Sequence, residues 1–170
     1  MSINWTIYRL LCTMPPDLEA EGQVFHAANT KFSEEVTMPA WILFALASPR
    51  PGSDPRISRS AFESNIRFCD FFVQIFGETM PDPVFPAFVN LAIACTADPN
   101  FPIRSTAVLF RNPESASLEM ASLRQRLIGT PGCLVRDFHN TEELESQAGD
   151  ILAAWYAMIQ GPRDTAGFPV

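Results

Sequence analysis

Lysine is almost missing from this sequence: Lys31 is the only one, and arginine supplies the rest of the 12 basic residues. They stand against 19 acidic residues, for a formal net charge of −7 and a pI near 4.7. Duplex nucleic acid is gripped largely by neutralising phosphates with Lys and Arg, so this balance argues against a nucleic-acid partner. Histidine is scarce too. His26 and His139 have no metal-ligand spacing, and the four cysteines (Cys12, Cys69, Cys95 and Cys133) form no CxxC pair. No zinc or other metal site is expected. Each cysteine lies in or beside an apolar run, where a free thiol behaves as a small hydrophobe. We expect reduced core thiols in a reducing compartment. No apolar run approaches the roughly 20 residues that span a bilayer. Residues 1–9 lack the basic-then-apolar pattern of a secretory signal. The expected location is the cytoplasm, with no membrane partner.

Familiar cofactor and catalytic signatures are missing as well. Where a dinucleotide fingerprint would place GxGxxG, the sequence reads CTMPP, and a Walker loop has no lysine to use because Lys31 falls within a helix. A phosphate-accepting regulator would need acids at the ends of the early strands and a lysine near the fifth. No serine sits in a GxSxG elbow.

What is present is a globular composition, 47% hydrophobic and 18% charged, in 170 residues. That length fits one domain and buries roughly two thirds of the unfolded surface. Residues 7–12 (IYRLLC), 41–47 (WILFALA), 71–77 (FFVQIFG), 106–110 (TAVLF) and 134–138 read as strands, the second and third as continuous apolar runs suited to burial on both faces. Helical patterns alternate with them. Pro15 and Pro16 open the first, and Ser60 with Glu63 forms a capping-box pattern for the second. Residues 85–97 form an almost wholly apolar third helix, and Asn112-Pro113 reads as an N-cap and N1 pair for the fourth. Asn140 with Glu143 opens a last helix that carries Leu144, Ala148, Ile151, Leu152 and Trp155 and stops at Gly161-Pro162. Right-handed crossovers make this an α/β, three-layer domain over residues 1–161, with about five parallel strands in flavodoxin-like order 2-1-3-4-5. Residues 162–170 read as a flexible tail.

Ligands bind such sheets at the carboxyl ends of the strands, beside the switch point. That edge would hold Cys12, Thr13 and Met14 after the first strand, and Gly77, Glu78 and Thr79 after the third. Glu78 is the candidate catalytic acid, able to stabilise positive charge on a sugar or act as a base. Arg50, Arg56 and Arg59, in the loop after the second strand, could hold a phosphate bidentately. His139 follows the fifth strand on the same edge. Asp70, at the opposite end of the third strand, is expected to cap the turn from the preceding helix. The third helix offers Phe85, Phe88, Val89 and Ile93 either as a docking face or as core.

The stretch FESNIRFCDFFVQIFGE (62–78) resembles a bacterial TIR-like domain of unknown function, found ahead of NACHT or repeat modules. That family is related in fold to TIR domains and nucleoside 2-deoxyribosyltransferases. CTMPPDLEAEG after the first strand is similar to the family's strand end and acidic helix start, with Thr13 matching. FHNTEELESQAGDILAAW (138–155) is similar to its closing segment. The resemblance implies a signalling domain that acts by self-association or protein docking, with no required cofactor. Its enzymatic relatives carry a Glu on the helix after the third strand, and here that helix has no acid before Asp98. The alternative implied is an enzyme that cleaves the N-glycosidic bond of NAD or a nucleoside, with NAD or a nucleotide as ligand. Glu78 would then be its acidic group, with Thr13 and the loop arginines holding the ligand. A plain flavodoxin-like binder would need a Ser/Thr-rich phosphate loop after the first strand, which is lacking.

Overall fold

The computed structural model describes residues 6–35, 42–47 and 55–160; at 6, 42–47, 55–58 and 160 it describes the backbone alone. Five parallel strands are β1 (Thr6–Thr13), β2 (Ile42–Ala47), β3 (Phe71–Phe76), β4 (Ser105–Arg111) and β5 (Cys133–Phe138), ordered β2-β1-β3-β4-β5. The helices are α1 (Glu19–Glu35), α2 (Pro55–Phe68), α3 (Val84–Thr96), α4 (Leu118–Ile128) and α5 (Thr141–Gln160). Arg50 and the 162–170 tail lie outside the described residues.

Side chains alternate across a strand, so each central strand feeds two cores. Phe71, Val73 and Ile75 of β3 face α1 and α5, where they meet Phe25, Ile151, Leu152 and Trp155. Phe72 and Phe76 face the other way, against Ile66 of α2, Phe88, Val89 and Ala92 of α3, and Met120, Leu123 and Leu127 of α4. The Trp155 indole stacks on Phe71, with ring centroids 4.6 Å apart. Large side chains buried this fully contribute about 1.5–3 kcal/mol each, and every residue of β3 is buried. That is why its sequence shows no polar face.

Two polar contacts punctuate the β1–β3 pairing. At the amino end, Asp70 accepts from the Arg9 N–H (2.8 Å) while its own N–H donates to the Arg9 carbonyl (2.8 Å). Asp70 therefore fastens the middle of β1, where its pairing with β3 begins, and is not a helix cap. Toward the carboxyl end, Thr13 lies opposite Gln74 in the register and its hydroxyl donates to the Gln74 side-chain carbonyl, both residues fully buried. The Gln74 amide donates onward to the Ile75 carbonyl at 3.0 Å.

Two helix starts differ from those read in the sequence. The second helix begins at Pro55, so Ser60 lies inside it and Arg56 and Arg59 belong to α2, not to a loop. Proline is already a good first helical residue, and it wins over the Ser60–Glu63 pattern. The fourth helix begins at Leu118, capped by Ser117, whose hydroxyl accepts from the Met120 N–H at 3.3 Å. Asn112 is not its N-cap. It takes a left-handed backbone (φ 45°) ahead of a 3-10 turn at Pro113–Ser115. The Asn140 cap is present, accepting from the Glu143 N–H at 2.9 Å. No helix among the described residues is long and apolar enough to cross a membrane.

Candidate functional site

The strand register brings Thr13, Gln74, Phe76, Arg111 and Phe138 to one carboxyl edge, because Thr13 pairs with Gln74, Phe76 with Phe110, and Arg111 with Phe138. The chain leaves β3 at Gly77. A Cβ there would stand 3.4 Å from Arg111 Nη2 and 3.6 Å from a Leu18 methyl. Glycine thus lets the Arg111 guanidinium lie close over the strand end. Glu78 follows directly and meets that guanidinium in a fork: Arg111 Nε donates to Oε1 (3.0 Å) and Nη2 to Oε2 (2.9 Å). The third guanidinium nitrogen, Nη1, donates to Glu21 of α1 at 2.6 Å. Asn112 Nδ2 adds a bond to Glu78 Oε1 at 2.7 Å. The Glu78 carbonyl accepts from the Ser117 N–H at 2.8 Å, tying the 112–117 segment to the same residue.

Such paired, charge-assisted bonds are the strong ones. The Arg111 hydrogen bonds, helped by Asn112 against the opposing effect of burial, hold the Glu78 carboxyl down at about 2. Glu78 is therefore ionised throughout the physiological range. One guanidinium shared between two carboxylates leaves this cluster with a net negative charge. The Glu78 side chain keeps a quarter of its surface exposed, so the charge faces solvent at the strand ends.

A second cluster sits one strand over. His139 Nδ1 lies 2.8 Å from Glu143 Oε2, and Nε2 lies 2.9 Å from Glu114 Oε2. Glu143 also accepts from the His139 backbone N–H at 2.7 Å. The two carboxylates, Glu143 first, raise the His139 pKa above the ordinary imidazole value. All three side chains are exposed. Among the described residues no group of three His, Cys, Asp or Glu is placed to hold a metal ion.

The remaining candidates divide. Cys12, Thr13 and Met14 are buried, and Met14 packs on α1 with its methyl against Gly22. They belong to the core, with Cys12 and Thr13 fully covered and Met14 almost so. Burial also pushes the Cys12 thiol up to about 12. Gly77 is buried under Arg111 and Leu18, while Thr79 is exposed on the loop beyond Glu78. Arg56 lies on α2, with no described side chain, and Arg59 is occupied by Glu63 one turn on (3.1 Å). On α3, Phe88 and Val89 are core residues and cannot form a docking face. Phe85 and Ile93 are half-buried against the same core, and Asn90 and Ala94 are among the residues left outward. Three neighbours (α2, β3 and β4) cover this helix, which explains its missing polar face.

Sequence reasoning missed Arg111, Asn112 and Glu21. Arg111 ends a strand on the ligand edge, and that position was the available signal. Asn112 was masked by its good fit as a helix cap. The Glu partners of His139 are 25 and four residues away, and only the second spacing is visible in sequence.

No protein-family model and no curated protein matches the chain. Solved structures do. A CMP N-glycosidase from Clostridium botulinum, BcmB, is similar at TM-score 0.50 and 14% identity, over 84% of this chain and 98% of that one. A conserved protein from Enterococcus faecalis V583 is similar at TM-score 0.49 and 11% identity, over 86% and 99%. The Flv1 flavodiiron core of Synechocystis sp. PCC6803 is similar at TM-score 0.46 and 11% identity, over 87% of this chain and 36% of that one. At these identities the likeness is one of fold.

Proposed function

We propose that this domain handles nucleosides or nucleotides and cleaves an N-glycosidic bond, with Glu78 as the acidic group. The observation that carries it is a carboxylate held ionised at the carboxyl edge of a parallel sheet, in a cluster of net negative charge. In such a cleavage the C1′–N bond breaks and its electron pair leaves with the base; a neutral nucleoside base takes up a proton, whereas the cationic nicotinamide ring of NAD is neutralised by the pair and needs none. The sugar carbon passes through an oxocarbenium-like state and is captured by water, which gives up a proton, so the products are the free base and the sugar, its phosphate or, from NAD, ADP-ribose. A fixed negative charge lowers the energy of that state, or the carboxylate attacks C1′ and the ester is then hydrolysed. A carboxyl held at about 2 serves as anion or nucleophile, not as proton donor. The fold is of a kind used by a CMP N-glycosidase, which is compatible with the reading. The likeness of residues 62–78 to TIR-like domains belongs to the same proposal, with Glu78 standing in for the acid absent from α3.

Arg111 is already engaged by two carboxylates. The phosphates of NAD or a nucleotide would therefore fall to Arg50 and Arg56. The rival reading, self-association through α3, has less to stand on because Phe88 and Val89 are core.

The test is a panel of ribo- and deoxyribonucleosides, their monophosphates and NAD, each incubated with the protein and followed for released base by chromatography. Release that falls about 10²-fold or more in Glu78→Gln is the expected result. Release untouched by that substitution removes Glu78 from the chemistry. No release from any member of the panel, even at high protein concentration, removes the enzyme reading itself.

A further inference from the structure

We propose that His139 is a proton-operated clamp on the turn that carries Asn112 to Glu78. With both ring nitrogens protonated it ties the Pro113–Ser115 turn to the start of α5, and on losing a proton it releases the turn.

Geometry leads to this. A neutral imidazole has one N–H and one bare lone pair, whereas the imidazolium has two N–H donors. Here both nitrogens face carboxylate oxygens, at 2.8 and 2.9 Å. Only the charged ring can serve both. The side that lets go is set by the surroundings. Glu143 is held in place at the first turn of α5: its N–H donates to Asn140, and its carboxylate also accepts from the His139 backbone. A ring that keeps Nδ1–H on Glu143 turns the lone pair of Nε2 toward Glu114, which is then repelled. Asp137 of β5, whose charge reaches Glu114, is itself paired with Arg124 of α4 at 2.9 Å.

Glu114 sits in the 3-10 turn that follows Asn112, and Asn112 reaches Glu78 at 2.7 Å from a left-handed backbone. Asparagine tolerates that conformation better than most residues other than glycine, and contacts on both sides of the turn hold it in place. On one side the turn is held by Glu78, through the Asn112 amide and the Ser117 N–H. On the other it is held by His139. Because the His139 pKa is raised on folding, the second hold is complete below the ordinary histidine value. It is lost as pH rises through the folded value. The clamp does not depend on the glycosidic reading; only an effect on turnover would.

The test uses the whole chain and needs no substrate. Nitrogen NMR of the His139 ring should show both nitrogens protonated at pH 6. Amide exchange of Ser115 and Ser117, corrected for intrinsic rates, should lose roughly two- to tenfold of its protection as the ring titrates, the scale of one or two exposed ion pairs. His139→Gln should remove the step. Glu114→Gln offers an amide that can donate as well as accept, so the turn should stay protected with no step. A neutral tautomer at pH 6, or a step that persists in His139→Gln, overturns the clamp.

Discussion

The carboxyl edge carries two clusters with the same ingredients, two glutamates around one cation, and they behave as opposites. Around Arg111 the cation is permanent, and its planar fork is met by Glu78 from the loop and Glu21 from α1, with only about a quarter of its surface exposed. Around His139 the cation is conditional and half its side chain is in solvent. Burial and geometry, not composition, separate a fixed charge from a titrating one. The Arg111 cluster keeps its charge across the physiological range, whereas the His139 cluster changes its charge when the ring titrates.

The difference should survive or fail in a graded series. The largest effect is expected from Arg111→Met, which leaves Glu78 and Glu21 facing each other without a counter-charge. Thermal or urea unfolding should show a loss of about 1–3 kcal/mol, on the low side because solvent still reaches the pair. A loss near zero would mean the fork is decorative. Next comes acid. The Glu78 carboxyl is lowered on folding, so its contribution is complete above the ordinary carboxylate value near 4.5 and disappears as pH falls toward about 2. Stability of the parent should fall across that window, and more gently in Glu78→Gln; parallel curves would contradict the assigned shift. Arg111→Lys should fall between the parent and Arg111→Met, because an ammonium cannot bond two carboxylates through a rigid fork. Smallest of all is the response of the His139 cluster to salt. Raising ionic strength to 1 M should flatten its pH-dependent exchange step while barely moving the Arg111 cluster, since exposed pairs are screened first.

Much of this fold could be read before any coordinates. β3 and the α5 stripe declared themselves because burial on both faces, or on one helical face, leaves a pattern in the apolar residues. The edge position of Glu78 followed from the Gly77 that ends its strand. What could not be read was pairing across the sheet. Arg111 lies 33 residues from Glu78 and 90 from Glu21, and no local rule links them. Asn112 illustrates competition between local and long-range demands: it has the chemistry of a helix cap, yet its side chain goes to Glu78 and the helix starts five residues later, capped by Ser117. Cys12, Thr13 and Met14 were placed on the right edge, but all three are buried there: Met14 packs its methyl against Gly22 of α1, and the Thr13 hydroxyl is taken up by Gln74.

The Thr13–Gln74 and Arg9–Asp70 contacts have a consequence for how the sheet finds its alignment. A strand reading FFVQIF offers aromatic or aliphatic groups to both faces, so grease alone hardly distinguishes the correct pairing from one shifted along by a residue. A shift would strand the Gln74 amide in the core without its hydroxyl partner, and would carry Asp70 away from the Arg9 backbone. An unpartnered buried amide is costly enough to disfavour that mistake. Two polar residues near opposite ends of an oily strand thus work as alignment marks, rejecting neighbouring registers that the hydrophobic residues would tolerate.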